Sequence, residues 1–475
     1  IAGKDICFDP NVNIFTGKYQ NSLSYFANSG CSGNDPCGNC VGPCSNDSDC
    51  DGSMKCFHRG LSSHVPGCVS GGAGDISGAS YCYNEPKHGD VTYLPGDLIV
   101  EENGLLLSRG LSSRIIASSD NFVSYQNGKS TTRFHSRPDG AAVFSITTGP
   151  YSGGWIYVSN SEDSPGGVGA ITFDASGNVV NYEIIVKNTK RNCGGGKTYW
   201  GTWVTCEEAG SSGQVHEVDP IVGLSSQAET VLGGSGGNYE SFAYDARDRS
   251  NPTFYVTNDS NNGALTRFTP NSAIVAEAES TGDYSQVLTT AGKHEWLVLS
   301  PSSATSNTGT FSWTQSRSYA DNMAGNINAN THYRSSEGID IRDGFVYMTC
   351  KTDKFLFILD LDKKTYVRSS TQSGAFNRQP DQIARILNGY AESSNYLYFC
   401  EDGGNDCGVH ARDSNGYFYS ILDGPSYNTE TTGLSFSPDN KRMYVSFQDP
   451  GIIFEISRLD GYGFGGRRLD IKYHQ

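Results

Sequence analysis

From about residue 90 onward the chain runs as short apolar stretches separated by polar turns rich in Gly, Asn and Asp. Three stretches can be laid over one another: "ESFAYDARDRSNPTFYVTNDSNNGALTRFTP" from Glu240, "EGIDIRDGFVYMTCKTDKFLFILDLD" from Glu337 and "ETTGLSFSPDNKRMYVSFQDPGIIFEISR" from Glu430. Each passes from a Glu into an apolar strand, through a turn such as Arg342-Asp343-Gly344, into an aromatic strand such as Phe345-Val346-Tyr347, and on to a third strand. Repeated units of this kind predict an all-β fold built as a β-propeller. In such a fold the innermost strands of all units line one channel, so Glu240 and Glu337, at equivalent positions, are expected at a common mouth. Carboxylates gathered there repel one another unless cations hold them.

The first 88 residues read differently. Nine of the 14 cysteines fall before Tyr83, with few apolar residues between them. Such a block cannot bury enough surface to fold alone and is expected to be stapled by disulfides. The boundaries expected are 1–88 for this module and 89–475 for the propeller. "CSNDSDCDGSMKCFHR" (residues 44–59) resembles small cysteine-rich modules of secreted microalgal proteins. Zinc at Cys37-x-x-Cys40 is the rival reading. So many cysteines imply an oxidising, extracellular setting, and the chain reads as a secreted form whose targeting segment has been removed. Asn46-Asp-Ser and Asn258-Asp-Ser are glycosylation sequons, which predict a glycoprotein.

A net charge of −16 argues against nucleic acid as a partner. No apolar run is long enough for a membrane span. The composition supports many short strands, with 57 Gly, 27 Tyr and 22 Phe. The nine His residues show no H-x-x-x-H spacing and there is no G-x-S-x-G, so neither a conventional zinc hydrolase nor a simple serine esterase is supported.

"TYWGTWVTCEE" (residues 198–208) sets Cys206 against Glu207 and Glu208. Cys206 could be half of a disulfide, a small buried apolar residue, a nucleophile or a metal ligand. Adjacent carboxylates raise a thiol pKa, which weakens the nucleophile reading; a transition metal that deprotonates the thiol suits the setting better. Glu240 and Glu337 have a second reading as strand-end carboxylates accepting from backbone N–H groups, which their equivalent positions disfavour, and Asn160 and Asp139 could equally be ordinary turn formers. Asp402-Gly403-Gly404 reads as a turn closed by a Cys400–Cys407 disulfide, Cys193 as the thiol left over, and Asp381 and Gln448 as turn residues without a role.

"RNCGGGKTYWGTWVTCEE" (residues 191–208), followed by "GQVHEVDP" (213–220), resembles the signature region of the PhoX family of secreted alkaline phosphatases. The likeness continues through "FYVTNDSNNGALTRFTP", "RSSEGIDIRDGFVYM" and "GLSFSPDNKRMYVSFQDPG", and covers most of residues 100–460. It implies a six-bladed β-propeller that hydrolyses phosphate esters at an iron–calcium cluster, Fe(III) with Ca2+, in which one cysteine bridges two ferric ions. Carried over by motif, Cys206 would be that bridge and Glu207 a neighbouring ligand. Glu240, Asp259 and Glu337 would supply further carboxylates, Asn160 and Arg334 would contact the phosphate, and Asp139 would be a lesser candidate. A phosphodiesterase or phytase-like activity is a variant of this reading. The alternative is a non-catalytic extracellular propeller with a structural, adhesive or self-assembling role. Either leaves room for association with a cell surface or matrix and for homo-oligomers or fibres.

Overall fold

A computed structural model describes residues 21–26, 30–58, 65, 68–69, 74–83, 98, 100–303, 305–320, 327–385, 396–413, 416–464 and 472–473. The fold is all-β and propeller-like, with α-helix confined among these residues to Ser272–Thr281 and Ile327–His332. The first sheet is an antiparallel meander of Pro138–Ser145, Trp155–Ser161, Gly167–Phe173 and Val179–Val186. Its two central strands are buried along their whole length on both faces. That is the burial expected where sheets pack face to face, and it explains why "WIYVSNS" and "GVGAITF" lack a charged face.

A second meander joins Asn192–Lys197, Trp203–Glu207, Val215–Val218 and Ala228–Glu229. Next comes a nine-stranded sheet, in which Thr308–Thr314 pairs with Thr365–Ser370 and so fuses the run starting at Tyr239–Asp245 with the run starting at Ser336–Arg342. Gln379–Arg385 opens another sheet, whose outer edge is completed by Leu105–Leu107 and Val100–Glu102. The last sheet begins at Thr431–Phe436 and takes its outermost strand, Leu111–Ser118, from the start of the domain, paired with Ile452–Arg458. This pairing covers the edge that Ile452–Arg458 would otherwise present.

The opening strands of these runs pack side by side. Pro138–Ser145 lies against Asn192–Lys197 and Thr431–Phe436, and Tyr239–Asp245 lies between Asn192–Lys197 and Ser336–Arg342. Gln379–Arg385 in turn packs against Ser336–Arg342 and Thr431–Phe436. The sequence positions predicted to converge therefore do share one centre. The core lies between successive sheets: Trp155, Tyr157 and Phe173 pack with Tyr444, Ile453 and Ile116. Burying each such aromatic contributes about 2–3 kcal/mol. The buried polar atoms there are satisfied, Trp155 Nε1 donating to Tyr444 Oη (3.0 Å) and Tyr444 Oη to Glu455 Oε2 (3.1 Å).

The amino-terminal module carries disulfides Cys31–Cys37, Cys40–Cys68, Cys44–Cys56 and Cys50–Cys82. Cys37 and Cys40 belong to different bridges, so the zinc reading of that pair fails. Cys7, and the boundary expected at residue 88, lie outside the described residues. The expected Cys400–Cys407 bridge is absent: both thiols are free and buried, and Cys407 Sγ donates to the Gly404 carbonyl instead. Among the described residues no helix is long and apolar enough to cross a membrane.

Candidate metal centre

At the shared mouth, six hairpins repeat one irregularity. The pairs that precede it are Pro138↔Ser161, Asn192↔Glu207, Tyr239↔Asn258, Ser336↔Cys350, Pro380↔Glu401 and, in the last sheet, Thr432↔Ser446. Each ladder then skips two residues of the inner strand against one of its partner. Such a bulge bends the strand and re-aims the side chain that it carries. The first bulge residues are Asp139, Cys193, Glu240, Glu337, Asp381 and Gly433, five of which offer a carboxylate or a thiol.

A second tier follows from the same register. One residue beyond the pair that precedes each of the first five bulges stand Glu162, Glu208, Asp259, Lys351 and Asp402, and in the last hairpin Gln448 follows one residue later, just past its strand. Between the tiers, Asp139, Glu162 and Cys193 bring one ligand atom each within 4.8 Å of one another, and so do Glu240, Glu337 and Asp381.

These acids are too close, and too dry, to be ionised together without added positive charge. Two like charges 4 Å apart repel by about 4 kcal/mol even at an effective dielectric of 20. Burial, and then the charge of Glu162, pushes the Asp139 carboxyl up to about 7. Burial first, then Asp381 and Asp139, pushes Glu240 well above its ordinary range. Asp381 is raised by burial and Asp139, and Glu430, just before the last inner strand, by burial and Asp402. Glu337 is raised mainly by burial, against the pull of Lys351.

Glu240 and Glu337 are 1% and 2% exposed, and Oε1 of each has no hydrogen-bond partner among the described residues. Lys351 Nζ stands 3.5 Å from that Glu337 oxygen, an ion-pair distance, and also 2.8 Å from Asp402 and 3.6 Å from Asp259. An unpartnered buried carboxylate oxygen costs about 1–3 kcal/mol, and native proteins rarely leave one so. The donor set fits cations: carboxylate oxygens suit hard ions, and Cys193 adds a soft ligand to one group. Burial, then Asp139 and Glu240, raises the Cys193 thiol, so it is protonated until an ion displaces the proton.

The structure sorts the residues singled out from sequence. Glu240, Glu337 and the lesser candidate Asp139 are in the inner tier, and Asp259 is in the outer one. Cys206 belongs to neither group: it lies opposite a bulge, fully buried among Val204, Tyr239, Phe242 and Val256, and burial, then Glu240 and Glu207, raises its thiol. The cysteine among the acids is Cys193, which the sequence reading leaves without a role.

Glu207 pins backbone instead, Oε1 accepting from Lys190 N and Oε2 from Gln214 N, both at 2.8 Å. Its neighbour Glu208 holds the tier position. Asn160, at the position equivalent to Cys206, donates from Nδ2 to the carbonyls of Cys193 and Gly194 (2.7 Å each) and accepts from Trp203 Nε1. Its amide is spent on holding the neighbouring bulge, as Thr257 Oγ1 holds the Glu337 carbonyl and Thr349 Oγ1 that of Asp381. Arg334 is clasped by Asp353, which belongs to neither tier.

Asp381, Glu162, Glu208, Asp402 and Lys351 were legible only through the bulge register, which aligns them residue by residue. The Asn258 sequon is closed: its side chain is 1% exposed, and a Cβ added to Gly263 would lie 2.3 Å from its Oδ1. Asn46 is exposed and accepts from Ser48 N, capping a short 3-10 turn.

No family model and none of the curated proteins matches the chain. Among solved structures, PhoX of Pseudomonas fluorescens in complex with vanadate, a transition-state analogue, superposes with a TM-score of 0.60. It is 15% identical and covers 79% of this chain and 100% of that one, a likeness of fold. A gluconolactonase from Xanthomonas campestris (13% identity, 73% of this chain, 98% of that one) and the holo PQQ domain of a pyranose dehydrogenase from Coprinopsis cinerea (12%, 74% and 97%) both reach a TM-score of only 0.38.

Proposed function

We propose that the chain is a six-bladed propeller, the nine-stranded sheet being two blades joined at their outer edges, and that its mouth hydrolyses phosphate esters with the help of bound cations. The observation that carries this reading is the inner tier of Asp139, Cys193, Glu240, Glu337 and Asp381. It is an acidic cradle with unpartnered buried oxygens, in a fold shared with a protein solved with a phosphoryl transition-state analogue.

Asp139, Glu162 and Cys193 would hold a transition ion such as Fe(III), and Glu240, Glu337 and Asp381 a hard ion such as Ca2+. Bound there, such ions supply Lewis acidity and charge neutralisation toward a phosphoryl oxygen. The rest belongs to the chain. Gln382 and Gln448 donate from Nε2 to the two oxygens of Asp139, fixing its carboxylate. Asn160, Thr257 and Thr349 lock the backbone of the Cys193, Glu337 and Asp381 bulges, so those ligand side chains are pre-positioned before any ion arrives. The disulfide-stapled module, which needs an oxidising setting, supports an activity outside the cell.

One observation favours the alternative, a metal-bearing scaffold without turnover: Asn160 and Arg334, the residues expected at the phosphate, are both engaged elsewhere. Elemental analysis of purified protein, its visible absorption, and hydrolysis of an aryl phosphate before and after chelation decide between them. The phosphatase reading expects iron with calcium, a thiolate-to-iron band, and hydrolysis lost on chelation. Colourless protein holding calcium alone, and inert toward aryl phosphates, would be the scaffold.

A further inference from the structure

With Asn160 and Arg334 engaged elsewhere and Lys351 surrounded by three carboxylates, the mouth needs another source of positive charge toward an incoming anion. Two arginines stand there. Arg137 and Arg191 each precede an inner strand by one residue, two residues before Asp139 and Cys193 respectively. Both adopt left-handed backbone, φ 45° and 43°, a conformation that costs a non-glycine residue about 1–2 kcal/mol. Residues held this way cluster at functional sites.

The surroundings lock them in place. The Arg137 carbonyl accepts from Glu162 N (3.0 Å) and the Arg191 carbonyl from Glu208 N (2.9 Å), so each arginine is tied to a residue of the outer tier. Their guanidinium groups share the Glu162 carboxylate, and Arg191 Nη2 also pairs with the Glu208 carboxylate. Arg137 Nη2 meets Glu162 Oε2 at 3.1 Å and Arg191 Nη2 meets Glu162 Oε1 at 2.5 Å, and Glu162 belongs to the group with Asp139 and Cys193. Gln448 Oε1 accepts from Arg137 Nε (3.1 Å), and the Glu208 carbonyl from Arg191 Nε (2.9 Å). The side chains remain 37% and 42% exposed, and Nη1 of each makes no hydrogen bond among the described residues.

We propose that Arg137 and Arg191 form a two-pronged clamp for a tetrahedral oxyanion, the phosphoryl group of an ester, above the Asp139–Glu162–Cys193 group. This rests on the phosphatase reading. Glu162 holds both forks through Nη2, leaving the Nη1 donor of each unengaged by the described residues and open to such an anion. Planar guanidinium groups suit such an anion better than ammonium does, because their donors match its oxygens in pairs.

The test is isothermal titration of the full-length protein, with its metals, with inorganic phosphate, metal content being measured on every sample. Arg137→Ala with Arg191→Ala should weaken phosphate binding roughly tenfold or more, the loss of at least one charge-assisted contact, at unchanged metal content. If the alanine pair loses metal, Arg137→Lys with Arg191→Lys, which keeps the charge on Glu162 but not the fork, replaces it, and severalfold weaker binding is expected. Phosphate affinity within twofold of the unmutated chain, in a metal-replete variant, refutes the clamp and leaves the phosphatase reading standing. An unmutated, metal-replete chain that binds no phosphate and hydrolyses no ester refutes both.

Discussion

Stripping the cations should make the protein less stable as pH rises, the reverse of the usual behaviour of paired carboxylates. Asp139 has its carboxyl lifted from 3.8 to about 7 by burial and by Glu162. A carboxyl raised in the folded state keeps its proton where the unfolded chain has released it, so the native state binds more protons and stability falls as pH climbs between the two values. At about 1.4 kcal/mol per pKa unit, Asp139 alone costs on the order of 4 kcal/mol once pH exceeds 7. Glu240, Glu337 and Asp381 are displaced in the same direction, mainly by burial, and deepen the loss.

For a domain of this size, 1 kcal/mol is worth roughly 1 °C in melting temperature, because unfolding entropy grows with chain length. Roughly 3 kcal/mol of the Asp139 loss falls between pH 5 and pH 8, so scanning calorimetry of chelator-treated protein should show a midpoint lower at pH 8 than at pH 5 by at least about 3 °C. Restoring calcium and iron should abolish or invert that slope, since ions bind the deprotonated cradle and stabilise only the folded chain. A stripped protein whose midpoint stays flat or rises from pH 5 to pH 8 would refute the claim that these acids are buried and crowded in the absence of cations.

The two cysteines of the signature stretch should part company. Cys193→Ser should remove the transition ion, by elemental analysis, and with it hydrolysis, whereas Cys206→Ala should keep both and lower stability by about 1 kcal/mol for the lost apolar contacts. Lys351→Gln removes a positive charge lying within 3.6 Å of Asp259, Glu337 and Asp402. Calcium affinity measured by titration should rise at least tenfold, roughly the scale of one charge at that distance. Peptide mapping of the secreted protein should find Asn258 unmodified, since its amide is enclosed; a glycan there would mean that the Gly237–Gly263 surroundings are open.

The repeat of apolar strand and polar turn was enough to read an all-β, propeller-like fold and the convergence of Glu240 and Glu337, because side-chain alternation and turn chemistry are local properties of the chain. Cysteine density alone marked the stapled amino-terminal module, and the "NCGGG…TCEE" stretch marked where chemistry concentrates. Which cysteine and which glutamate of that stretch face the mouth was decided by tertiary structure. Cys193 and Cys206 sit on neighbouring strands that meet at a bulge, and the bulge turns the first toward the centre while the second packs into the core. Likewise Glu207 was chosen over Glu208, and Asp381 was passed over, because the two-against-one pairing that aligns them exists only once strands distant in sequence have paired.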